Sequence, residues 1–193
     1  MNWDVNVMSG FHRSLWRVCD KKRLAMARLR SYYFRMLGTR IGAKCLFGRG
    51  VRIDRPWTVS MGSRCVLEPD VWFDIVDDNA EVRLGDHVFM GRGVHLLLSD
   101  GLTIGDHCLI GDGVAIADHK HNVAAGSLIE TQGCNSARIT IGSDVMICVR
   151  AKILQGVTIG DGAIIGPGAI VSQDVAPNVI VGKAPARVLG RRE

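Results

Sequence analysis

Ile104-Gly105-Asp106-His107-Cys108-Leu109, Ile110-Gly111-Asp112-Gly113-Val114-Ala115 and Ile116-Ala117-Asp118-His119 repeat one six-residue word. After an interruption the word resumes at Ile141 and runs on in sixes through Ile147, Ile153, Ile159, Ile165 and Val171. It opens on an aliphatic residue, usually has glycine second, and carries a small or β-branched residue fifth. A spacing of six excludes a helix stripe. At about 100° per residue every sixth side chain turns through roughly 240°, so three words point three ways. In an extended chain, residues one, three and five share a face. A short strand that turns a corner every six residues keeps its aliphatic side chains in one interior. The pattern therefore predicts an all-β solenoid with three short sides to each coil.

The register extends backwards from this stretch. Word starts fall in triplets at Ile41, Phe47, Ile53; Met61, Leu67, Phe73; Leu84, Met90, Leu96; Ile104, Ile110, Ile116; Ile141, Ile147, Ile153; and Ile159, Ile165, Val171. Every start is apolar. Steps within a triplet are six, and those between triplets are 8, 11, 8, 25 and 6. All insertions thus fall after a third word, at one corner of the prism. The expected division is a helical segment over 1–40, about six coils over 41–176 with an inserted loop at about 119–139, and a C-terminal tail over 177–193.

Composition fits one domain with an extension, and 23 glycines among 193 residues suit a chain that turns so often. No apolar run approaches the roughly 18 residues that a membrane span needs, and no signal peptide is evident, so a cytoplasmic protein is expected. Cys45, Cys65 and Cys108 take the fifth place of a first word, where Val88, Val145 and Ala163 stand in other coils. They read as small hydrophobes in one inward column. Without a CxxC pair, neither zinc nor disulfides are expected.

Residues 1–40 differ in kind. They carry nine Lys and Arg against Asp4 and Asp20, a net +7, while the remainder of a chain with total charge +5 comes to −2. Phe11, Leu15, Val18, Ala25, Leu29, Tyr33 and Met36 follow helical spacing, interrupted by Lys22, and Gly38 reads as a stop. One reading is a helix that caps the open first coil. The other lays residues 1–37 on an anionic membrane, with Trp16 at the interface, making the protein peripheral at the inner membrane face. With no aromatic-interleaved basic motif, nucleic acid is not an expected partner.

The largest departure from register is the step from Ile116 to Ile141, opening on Asp118-His119-Lys120-His121-Asn122. An insertion this long in a regular solenoid is usually functional. It places two histidines where the rigid coil ends, and histidine takes a proton near neutral pH. His119 is the candidate general base, its backbone still held by the coil. His121 and Asn122, further into the loop, are candidate acceptor contacts, as is Asp74 beside Trp72 on the edge that bears the loop. His87, His107 and His12 are expected to be structural.

The register, the His-bearing loop and the closing Gly182-Lys183-Ala184-Pro185-Ala186-Arg187-Val188 resemble the left-handed β-helix, or hexapeptide-repeat, acyltransferases. Asp118-His119-Lys120-His121 is similar to the Asp-His-x-His of the sugar and polysaccharide O-acetyltransferase branch, near the galactoside and maltose enzymes. The resemblance implies the left hand of the coil, a homotrimer, and acetyl-coenzyme A lying between neighbouring prisms. It implies that His119 takes the proton from a sugar hydroxyl as it attacks the thioester directly, with no metal. Matching positions imply that Val149 and Pro167 line the pantetheine arm, Ser172 and Gln173 lie near the cofactor, and Lys183 and Arg187 lie near its phosphates. Three residues depart from the family pattern: Cys148 for glycine, Met146 for tryptophan and Gln173 for lysine. Alternatives are an amino-sugar N-acetyltransferase, a γ-carbonic-anhydrase-like zinc enzyme and a non-catalytic binding solenoid. The His119-x-His121 spacing is wrong for the zinc enzyme, and a binding module leaves the His-rooted loop without a purpose.

Overall fold

A computed structural model describes the backbone from Gly10 to Glu193 and the side chains from Lys21 onward. Strands of two to four residues stack into three parallel sheets, one for each word of the triplet. Neighbouring word starts stand opposite one another throughout. Ile41 faces Met61, Phe47 faces Leu67, and Ile53 faces Phe73. The 25-residue step does not disturb the ladder, for Ile104 pairs with Ile141, Ile110 with Ile147 and Ile116 with Ile153. The coil is the left-handed β-helix.

Local chemistry explains why six residues suffice for a side and its corner. The fourth residue of each first word turns through the left-handed region, with Lys44, Arg64, His87, His107 and Asp144 at φ 55° to 61°. An L residue there costs roughly 1–2 kcal/mol, which the ladders on either side must offset. His87 and His107 stack at 4.6 Å as a by-product of that column. The Gly-Asp pair in the word has its own reason. Asp106 Oδ1 accepts the N–H of Asp86 one coil away, and a Cβ on Gly85 would lie 2.2 Å from that oxygen.

The interior is a continuous apolar column that includes every fifth-place residue from Cys45 to Ala163. Its thiols donate to carbonyls of the next coil, Cys45 to Gly62 and Cys65 to Gly85 at 3.2 Å and Cys108 to Gly142 at 3.0 Å. Burial pushes the Cys108 thiol up to about 11. These are the small hydrophobes the register implies.

A partial seventh turn follows the sixth coil. Val175 bridges to Ile159, and Val179–Gly182 pairs with Ile164–Ile165 in the second sheet. Arg187–Arg191 then returns antiparallel along Val179–Gly182 and covers the end of that sheet.

At the other end, helix α1 spans Gly10–Met36 and stops where Gly38 turns to φ 104° and Thr39 N–H reaches Phe34 O. The helix docks on the first coil by a face other than the expected one. Among the described residues of the helix, Ala27 and Phe34 are the buried apolar ones, at 9% and 8% exposure. The Phe34 ring lies 5.7 Å from that of Phe47, while Arg30 donates to Phe47 O and Arg35 to Ile41 O and Gly42 O. Leu29, Tyr33 and Met36 of the sequence stripe point to solvent instead. The open coil offers edge carbonyls and one aromatic contact rather than a broad apolar plate. A face with two arginines and a phenylalanine fits that target better than a wholly apolar one. Phe11, His12, Leu15, Trp16 and Val18 lie outside the described side chains. No described helix is long and apolar enough to cross a membrane.

Candidate active site

The insertion begins at the third corner. In the third sheet, Ile75 and Leu98 occupy one inward column, and the register carries Asp118 into the same column one coil further. Its carboxylate is fully buried. Oδ1 accepts the Ser99 N–H at 2.8 Å, and Oδ2 accepts those of Asp100 at 2.8 Å and Gly101 at 2.7 Å. A buried carboxylate is tolerable only when its lone pairs are met in this way. These three donors fix the plane of the group.

His119 follows, with a side chain 20% exposed and Nδ1 3.1 Å from Asp118 Oδ1. With the carboxylate as acceptor, Nδ1–H is the donor of this contact, and Nε2 is the ring nitrogen that it leaves unused. From here the chain forms a hairpin, His119–His121 against Cys134–Ser136, and the Ala137 N–H closes its root onto Asp118 O at 2.8 Å.

The tip is cross-linked from within. Asn122 Nδ2 donates to Gln132 O at 3.0 Å, and Gln132 Nε2 donates to Ala124 O and Ser127 O. Asn122 thus holds the loop together. His121 is exposed, its Nδ1 3.2 Å from the Cys134 sulfur. Motif reading quoted Asp118 without giving it a role of its own, and it passed over the loop contacts of Gln132 and Cys134. The signal for Asp118 was a charge at an inward place of the repeat.

Asp74 lies on the outward side of the third sheet, two strands below Ala117. Its Oδ2 is 3.4 Å from His95 Nε2, and the His95 ring stacks on Trp72 at 4.5 Å. Trp72 in turn donates to Asp54 Oδ2 at 2.7 Å, and Arg52 lies over its ring. The result is an aromatic and carboxylate platform on the outward side of the sheet whose strands lead to the corner that carries His119. Among the described residues, no three His, Cys, Asp or Glu side chains gather as a metal-binding group.

Comparison with known proteins bears on this arrangement. Residues 138–173 match the family described as Bacterial transferase hexapeptide (six repeats), and residues 81–117 match Hexapeptide repeat of succinyl-transferase. Galactoside O-acetyltransferase of Escherichia coli (strain K12) is 32% identical over 130 residues, 67% of this chain and 62% of that protein. A solved galactoside acetyltransferase in complex with coenzyme A superposes with a TM-score of 0.60 at 25% identity, covering 84% of this chain and 69% of that one. These likenesses support the hexapeptide-repeat acyltransferase superfamily.

Other similar proteins differ in what they act on. WcaF of Escherichia coli (strain K12), by its assigned name a colanic acid biosynthesis acetyltransferase, is 26% identical over 86% of this chain and 76% of its own length. The N-acyltransferase AntD from Bacillus cereus, solved with dTDP and 3-hydroxybutyryl-CoA, has a TM-score of 0.76 at 16% identity, covering 84% of this chain and 88% of that one. At that identity it speaks for the fold alone. The chain spans less than two thirds of the length of the galactoside enzyme.

In this hexapeptide-repeat chain, the positions implied for the cofactor fall on two corners. Val149 and Pro167 occupy the same place in successive second words, and Gly168 N–H donates to Val149 O at 2.9 Å between them. Register with Val181 sets Lys183 next in that column, where its O accepts the Ile170 N–H. Ser172 and Gln173 sit on the third corner, two coils beyond Ala117 and Asp118. Arg187 lies exposed on the returning strand. One face of the prism separates the two corners. Cys148, beside Val149, has its thiol pushed up by burial. A protonated thiol is a poor nucleophile.

Proposed function

We propose that the chain is an acyltransferase that moves an acetyl group from acetyl-coenzyme A to a hydroxyl of a sugar or polysaccharide precursor, with His119 as general base. The observation that carries this reading is the Asp118–His119 pair, at 3.1 Å with the carboxylate pinned by three backbone N–H groups. Asp118 holds the imidazole as the tautomer whose Nε2 accepts a proton. His119 Nε2 takes the proton of the acceptor hydroxyl as its oxygen bonds to the thioester carbonyl carbon. When the C–S bond breaks, the same nitrogen returns a proton to the departing thiolate, and the products are an O-acetyl ester and free coenzyme A. Asp118 stabilises the imidazolium between those steps, and the proton leaves on the thiol of coenzyme A.

The reading is supported by the similarity to the galactoside enzyme and by the outward-facing Asp74 beside His95, polar groups that suit a sugar's hydroxyls. Val149, Pro167 and Lys183 stand on a different corner from His119. That supports a site completed between neighbouring prisms of a homotrimer, as the superfamily resemblance implies. The test is thiol release from acetyl-coenzyme A against nucleotide sugars, free saccharides and lipid-linked glycans. Mild alkali should remove the transferred acetyl group from the product, as it does from an ester. An alkali-stable product makes the acceptor an amine instead. Absence of transfer to every acceptor overturns the reading.

A further inference from the structure

Over the described residues of α1, the face that the first coil leaves free is more apolar than the face it uses. Leu29, Tyr32 and Tyr33 are each 58% exposed and Met36 is 72% exposed. Spaced i, i+3, i+4 and i+7 at about 100° per residue, they fall in an arc of about 100° whose centre lies opposite Ala27 and Phe34. Ala25 shares the arc. Lys21, Arg28 and Arg35 run along one border, and Lys22 projects within it, where a long stem can lie along apolar surface with its ammonium in water. Trp57, 57% exposed, stands against Gly38 at the end of the helix.

We propose that this outward stripe of α1 docks on an anionic lipid surface, holding the solenoid at the membrane by the same helix that caps it. Charge selects this occupant. Residues 1–40 carry +7 and the rest of the chain −2, so the field of the helix favours a negative surface. A second copy pairing through the same stripe would bring two basic borders together. Four exposed side chains also fall short of the roughly 800 Å² per partner that a stable protein pairing buries. Tyrosines with an apolar body and polar tip, beside an exposed indole, suit the headgroup level. The inference does not rest on the acyl-transfer reading.

The test is co-sedimentation of the full chain with vesicles of phosphatidylcholine, and of phosphatidylcholine mixed with phosphatidylglycerol, at low and high salt. The expected result is binding to the anionic vesicles alone, weakened by salt. The double variant Leu29→Glu and Met36→Glu should weaken that binding about tenfold or more, with melting temperature and oligomeric mass unchanged, since both side chains are exposed in the docked helix. Equal binding to neutral vesicles, equal binding by the variant, or no binding at all overturns the proposal. A change of oligomeric mass in the variant without lipid also overturns it, and assigns the stripe to contact between copies.

Discussion

Asp118 Oδ1 lies 3.1 Å from His119 Nδ1, and the same carboxylate accepts three backbone N–H groups from Ser99 to Gly101. No orientation of an amide satisfies that set. In Asp118→Asn, the NH₂ group must face either His119 and Ser99 N–H or the paired donors of Asp100 and Gly101. The imidazole loses its tautomer or the corner loses acceptors. Turnover should fall by roughly 10²–10⁴-fold with coenzyme A affinity nearly unchanged. Steady-state kinetics with a binding titration of coenzyme A would check both halves.

His119→Ala should lower turnover by roughly 10²–10⁴-fold. His121→Ala should cost less and raise the KM for the acceptor, since His121 stands on the exposed arm beside Cys134. A dead His121→Ala enzyme beside an active His119→Ala enzyme reverses the assignment.

Burial raises the Cys148 thiol, which disfavours the thiolate that a nucleophile needs. Cys148→Ala should retain turnover within about threefold, because no covalent step is routed through it. Burst kinetics with the native chain should likewise show no acyl-enzyme phase.

Alkaline stability follows from Cys108. Its folded value of about 11 lies above the ordinary 9.0, so the unfolded chain releases this proton first. Stability should be flat with respect to this thiol below pH 9 and fall as pH rises from there towards 11. Cys108→Val, which places the residue found at Val88 and Val145 in the same column, should remove that part of the fall. Melting temperature across the alkaline range is the measurement.

Phe34 closes the core against Phe47. Phe34→Ala should destabilise the fold by about 3 kcal/mol, read as a lower denaturation midpoint. Deleting residues 1–37 should go further and cause aggregation, since it uncovers both Phe47 and the carbonyls that Arg30 and Arg35 occupy. A soluble truncation with unchanged melting contradicts the cap.

The coil ladder was legible because each word repeats its own physical constraints: an apolar start, a glycine beneath a carboxylate, and a corner every six residues. Ile104 and Ile141 could be paired across 37 residues for that reason. The seventh turn was less legible, since Val175 comes only four residues after Val171 and lacks the following glycine. The orientation of α1 was hidden more deeply. Periodicity reports that a helix has an apolar face, and among the described residues Leu29, Tyr33 and Met36 do share one. Which face docks depends on the target, and the first coil presents carbonyls that, among the described residues, Arg30 and Arg35 answer. Asp118 was visible as part of a motif, yet its role needed the inward column that Ile75 and Leu98 define. The cross-link through Gln132 has no local signature, because its partners lie in the irregular loop.

The hairpin root has a consequence for how such a chain can change. Pairing His119 with Ser136 brings the two ends of the insertion together beside the ladder, so the solenoid resumes at Ile141 whatever lies between them. The path from Ile104 to Ile141 takes 37 residues where that from Leu84 to Ile104 takes 20, and the longer path adds only about 0.5 kcal/mol of closure entropy. Segments between His121 and Cys134 can therefore be lengthened, shortened or exchanged over generations with little penalty to folding. Asp118 stays outside that trade because the coil fixes its carboxylate, and His119 needs only the hairpin root, where it pairs with Ser136.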